Sequence, residues 1–206
     1  MSRLWKAIPA LLLAACSCGG AEGAGKGTNG GGGDDMPKTT ADPDARYAAL
    51  EAGAEYASWQ KMNTEPFFSK THGKRMVDVY VNDIALEAFK DDEKPFPVGS
   101  VVVKTSWETK DKVATDVAGP IFVMEKKQQG YDPGNEDWWY ALHWEQVPPE
   151  WRQRMGGTQT YWRSPSQKVG YCGGCHENFD RFIGGVPAEF QSWGAKEAAD
   201  GAGDAK

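Results

Sequence analysis

Near the end of the chain stands Cys172-Gly173-Gly174-Cys175-His176. Two thiols separated by two residues, with an imidazole directly after the second, match the attachment signature of c-type haem. The spacing suits the chemistry. The thiols add across the two vinyl groups of the macrocycle, and the adjacent histidine presents a ring nitrogen to the iron from the same side. Two other uses of Cys-x-x-Cys fit less well. A thioredoxin-like dithiol needs a βαβ context, and none precedes Cys172. A structural zinc site needs about four ligands, and the remaining candidates, His72, His143 and Cys18, include no second paired motif.

Small electron-transfer cytochromes commonly carry this motif early, with a methionine ligand far downstream. Here no methionine follows Cys175, so a ligand on the other side of the iron must come from upstream. Met62, Met76, Met124, Met155, His72 and His143 are the candidates. The simplest arrangement has His176 alone as the proximal ligand. The opposite side is then open or capped by apolar groups, and an open site binds small molecules such as nitric oxide, carbon monoxide or hydroxylamine.

The elements that must position these groups read as follows. Asp42-Pro43-Asp44 is a helix entry, and Tyr47, Leu50, Ala54 and Ala57 recur at helical spacing, which predicts a helix over residues 44–61. Residues 76–81 alternate as a strand, with Val77, Val79 and Val81 on one side. Asn82 caps a short helix over residues 83–90, and Phe96-Pro97-Val98-Gly99 is a turn. Residues 100–107, 121–126 and 137–145 read as further strands. From Pro148 to about Val169 the stretch looks irregular. Without long crossover helices the strands pair antiparallel. The expected class is α+β: an antiparallel sheet of about four to five strands with flanking helices, and covalent haem c near the C-terminus.

The N-terminus carries Arg3 and Lys6 before an apolar run from Ile8 to Ala15, too short to cross a bilayer and suited to an export signal. Leu13-Ala14-Ala15-Cys16 resembles a lipobox, which implies cleavage before Cys16, lipidation there, and a location in the periplasm or cell envelope, anchored to membrane by lipid. The expected organisation is a lipoprotein signal peptide over 1–15, a Gly-rich tether over 16–43, a haem domain over 44–193 and a flexible tail over 194–206. Cys18 is left without a role. A net charge of −6 with no basic block argues against nucleic acid as a partner.

Several segments in order resemble the cytochrome P-460 family, which includes the cytochromes c′-β. They are Arg75-Met76-Val77-Asp78-Val79-Tyr80-Val81-Asn82, Phe96-Pro97-Val98-Gly99-Ser100-Val101-Val102-Val103-Lys104, Ile121-Phe122-Val123-Met124-Glu125-Lys126-Lys127, and Gly130-Tyr131-Asp132-Pro133 followed by Asp137-Trp138, with the late haem motif. The resemblance runs from about Tyr56 to Phe190. It implies one covalent haem c held by Cys172, Cys175 and His176. The expected function is binding or oxidation of small nitrogen species, hydroxylamine or nitric oxide, in exchange with a soluble redox partner. The alternative is a non-catalytic gas-binding or electron-transfer cytochrome. Family members often pair through the sheet, which makes a homodimer the implied assembly.

Members that oxidise hydroxylamine carry a lysine bonded to the haem ring, and Lys104 stands at the matching position. Val102, Lys104 and Ser106 should share one strand face, with Val101, Val103, Thr105 and Trp107 on the other. A lysine drawn into such a pocket loses solvation, its pKa falls and the amine becomes nucleophilic. Those members also place a carboxylate over the iron. Here that position falls near Phe122, an aromatic cap like that of the gas-binding relatives. His72 and Glu125 are the remaining proton-handling candidates, with Glu125 expected on the face opposite Phe122. Phe67, Phe68, Trp138 and Tyr140 are candidate pocket walls.

Overall fold

The computed structural model describes residues 47–193, which lie within one compact unit, Thr40–Lys206. The expected export signal, Cys16, the expected tether and the expected tail lie outside the described residues.

Eight strands form one antiparallel sheet: β1 Gln60–Lys61, β2 Phe67–Ser69, β3 Arg75–Val81, β4 Val101–Lys110, β5 Val113–Ala118, β6 Ile121–Lys126, β7 Trp138–Trp144 and β8 Thr160–Arg163. The main path is β1-β3-β4-β6-β7-β8. The short β2 adds to β3, and β5 pairs with the far end of β4. The strands are more numerous than the alternating pattern suggests. Two of the additional ones, β2 and β8, have only three and four residues, too few to show a period.

The two faces of the sheet bury different clusters, as the period of two requires. One holds Val77, Val79, Val81, Val102, Met124, Tyr140 and Leu142. Three helices contribute apolar residues to this cluster: α1 Asp83–Lys90, α2 Pro149–Met155 and α3 Gly170–His176. The other face holds Val101, Val103, Val123, Trp139 and Tyr161, covered by Leu50, Ala52, Tyr56 and Trp59.

Helix α1 starts where the sequence places it. The Asn82 Oδ1 accepts from Ala85 N at 3.1 Å and from Val101 N at 3.0 Å, and its amide donates to Gly99 O at 2.8 Å. One side chain thus caps the helix and ties it to the start of β4.

One expected element is absent from the described residues, and one expected loop is not a loop. The helix expected over 44–61 is not formed in its described part, residues 47–61: residues 47–50 are irregular and only the single 3-10 turn Tyr56–Ser58 follows. Gly53 adopts φ +76°, and a Cβ there would strike the Val103 side chain. The segment instead lies against the sheet with its apolar residues spread along it, which a continuous helix does not allow. The stretch from Pro148 is also more regular than it reads. Pro149 opens α2, Gly156 closes it at φ +81°, and β8 then pairs with β7.

Candidate functional site

Helix α3 is the element that carries the thiols. Cys172 and Cys175 are three apart and His176 is four from Cys172, so all three lie along one side of a seven-residue helix. Both cysteines are free. Gly173 is buried, and a Cβ there would collide with the Asn135 side-chain amide; at Gly174 nothing lies within 4 Å. The first glycine of the motif therefore lets α3 seat against the turn Pro133–Asn135, and the second does not bear on packing.

The His176 ring is oriented from behind. Its Nδ1 lies 2.6 Å from the carbonyl oxygen of Phe182, which fixes Nε2 as the nitrogen left for a metal. That carbonyl is held by an unusual stretch of backbone. Arg181 and Phe182 both have positive φ, 57° and 61°, although neither is glycine. The Arg181 guanidinium keeps them there. It donates to the carbonyls of Ala88, Asp91 and Lys94, pairs with Asp92 and lies over the Phe96 ring.

A pocket opens between α3 and the first face of the sheet, enclosing about 1040 Å³ of empty space including the part open to solvent. Cys172, Cys175, His176 and Phe179 form one wall. Val102, Lys104, Phe122, Met124 and Tyr140 form the sheet side. Lys104 on β4 and Phe122 on β6 are direct cross-strand partners, so both project into the same space. Burial lowers the Lys104 pKa to about 8, and the amine makes no ion pair among the described residues. Burial pushes the Cys172 thiol up to about 12 and holds the His176 ring below its ordinary value.

His72 reaches the pocket from the turn between β2 and β3. Its ring meets the edge of Phe122 at 4.9 Å between centroids. Phe122 stands two strands away from β3 in the sheet, so this turn curls over the sheet face rather than extending from it. Burial, with Lys104 and His176 nearby, drives the His72 pKa down to about 2, and the ring is neutral.

The other expected residues separate. Phe67 and Tyr140 line the pocket; Phe68 and Trp138 do not, and Trp138 is wholly buried in the core against Phe96. Glu125 stands one residue beyond Met124 on β6, on the opposite face, and pairs with Lys127 at 2.7 Å. His143 also lies on that face, its Nε2 3.0 Å from Ala48 O. No carboxylate lines the pocket among the described residues. Sequence reasoning missed Arg181 and the Phe182 carbonyl, whose role depends on backbone angles that no residue type there announces. It also missed Ser69 and Thr71, which flank His72 and give it hydrogen-bond partners.

The residues present fit a haem. The pocket is mostly apolar, two unpaired thiols and an imidazole share one wall, and the buried Tyr140 hydroxyl has no protein partner. No curated protein matches the chain. The family model for cytochrome P460 matches residues 53–181, more than half of the sequence, a span that contains all eight strands and the haem motif. The chain therefore belongs to the cytochrome P460 family, and haem binding comes with that membership.

Proposed function

We propose that the protein is an exported, lipid-anchored cytochrome with one covalent haem c, which binds small nitrogen species such as nitric oxide or hydroxylamine. Cys172 and Cys175 are the attachment thiols, His176 is the proximal ligand and Cys16 is the lipidation site. When bound, the haem supplies a redox-active iron able to take up a small ligand. The polypeptide holds His176 through Phe182, excludes water with Phe67, Phe122, Phe179 and Ile183, and sets Lys104 beside the macrocycle.

The observation that carries this reading is that Lys104 and Phe122, neighbours across two strands, face Cys175 and His176 through a single pocket. Binding is favoured over oxidation of hydroxylamine by the same pocket. Oxidation must remove protons from the substrate, and among the described residues no carboxylate lines the pocket to accept them. Lys104 remains the residue that would make the haem electronically unusual, its amine being desolvated and unpaired.

Mass measurement of the motif peptide tests the attachment: one added haem is expected. The reading fails if the peptide is unmodified. A red-shifted, broadened ferrous Soret band that disappears in Lys104→Ala would assign the bond to that lysine. Titration of the haem-bearing protein with nitric oxide should show a bound form, while hydroxylamine should bind with little turnover. Sustained hydroxylamine oxidation would reverse the order of the two functions.

A further inference from the structure

We propose that His72 is the second axial ligand of the haem iron, so that in the resting protein two imidazoles hold the metal from opposite sides. This rests on the haem c reading of Cys172, Cys175 and His176.

The first observation is a distance. The ring centroids of His72 and His176 are 6.3 Å apart. A metal–imidazole bond is about 2 Å long and a ring nitrogen sits roughly 1 Å from its ring centre, so one metal clamped between two imidazoles holds their centroids about 6 Å apart. The observed separation is that of a bridged pair. Two rings in direct stacking contact would be closer, and a bound diatomic between metal and His72 would require more room.

The second observation concerns the nitrogens. His72 Nδ1 lies 2.8 Å from Ser69 Oγ and 3.2 Å from Thr71 Oγ1. His176 Nδ1 is engaged by the Phe182 carbonyl. In both rings the nitrogen nearer the backbone is occupied, and Nε2 is the one left over. This is the usual state of a metal-ligating histidine, whose second nitrogen donates to a hydroxyl or carbonyl that fixes tautomer and ring plane.

The third observation is the support behind His72. Phe122 packs against the ring at 4.9 Å, and the turn between β2 and β3 curls over the sheet face to bring it there. Phe122 then acts less as a cap on a bare iron than as a brace for the residue that occupies it. With haem bound, His72 would have to give up this position as neutral imidazole before a small molecule could donate its electron pair there. No electron moves between partners in that step.

The planes of the two rings are 80° apart. Near-perpendicular axial imidazoles give a ferric low-spin signal of strong anisotropy, which is a signature a merely nearby histidine does not produce.

The test uses the full chain matured with haem. The mass of the motif peptide is measured first, because an unmodified peptide overturns the haem reading and the proposal with it. In haem-bearing protein, electron paramagnetic resonance and absorption should show low-spin, strongly anisotropic ferric iron. His72→Ala should turn it high-spin, and added imidazole should restore the low-spin form in His72→Gly. High-spin iron in the unaltered protein, or a low-spin signal surviving in His72→Ala, overturns the assignment, the latter pointing to Met124. If the variants do not accumulate, carbon monoxide binding to the unaltered ferrous protein decides. A rate that levels off with concentration reports His72 release; a rate that rises linearly throughout overturns the proposal.

Discussion

The His176 ring donates from Nδ1 to the Phe182 carbonyl at 2.6 Å, and that carbonyl is presented by two residues held in left-handed backbone. The strain at Arg181 and Phe182 is offset by the contacts of the Arg181 side chain with the end of α1. Replacing Arg181 with Ala removes two half-buried donor contacts and one exposed one, and leaves the carbonyl of Ala88 without its charged partner. The expected loss is about 1–3 kcal/mol in urea unfolding. Proximal ligation should become heterogeneous, read as a broadened high-field nuclear resonance of the axial imidazole. An unchanged urea midpoint would mean that the backbone holds this turn without help.

The two glycines of the motif predict opposite outcomes for the same substitution. Gly173→Ala forces α3 away from Asn135 and should cost about 1–3 kcal/mol. Gly174→Ala enters open space and should stay within about 0.5 kcal/mol of the unaltered protein. Thermal unfolding of the two variants side by side checks this. Equal midpoints would show that the Asn135 side chain moves aside freely.

His143 gives a pH dependence that is separate from the haem pocket. Its ring lies between Tyr47 and Tyr161 and is bonded to the Ala48 carbonyl, and burial lowers its pKa. In the unfolded chain it titrates near the ordinary value of about 6.5. Between the lowered folded value and that one the unfolded state binds more protons, so stability rises with pH and falls on acidification. The unaltered protein should lose stability relative to His143→Gln as pH drops below about 6.5, and the gap should be constant above it. A gap that does not vary between pH 5 and 8 would contradict a buried neutral ring.

Phe122→Ala removes the ring that packs on His72. The residue is only partly buried, so the cost should be at or below the low end of about 3–5 kcal/mol found for full Phe truncation. Carbon monoxide should bind the ferrous protein faster, because the brace behind His72 and the wall of the pocket are lost together. Flash photolysis measures the rate, and an unchanged value would remove Phe122 from the entry route.

The motif was legible because its signal is local: Cys172, Cys175 and His176 declare themselves by spacing. Lys104 and Phe122 were legible only through the family resemblance, because alternation within β4 and within β6 does not say which faces of the two strands coincide until the register is known. The helix capped by Asn82 was legible for the same reason as the motif, since cap, period and length all fall within one short segment. The segment before β1 misled because its apolar spacing suits a helix while its packing does not. Gly53 must pass close to Val103, a contact between residues fifty positions apart that no window contains. His72 could be named as a candidate ligand but not placed, because its position depends on a turn folding across two strands.

All eight strands are complete by Arg163, whereas Cys172, Cys175, His176, Phe179, Ile183 and Pro187 follow it. The order along the chain thus provides an order of assembly. The sheet can form a floor while the wall bearing the thiols is still loose, leaving a wide mouth through which a flat, rigid guest enters before the last segment shuts behind it.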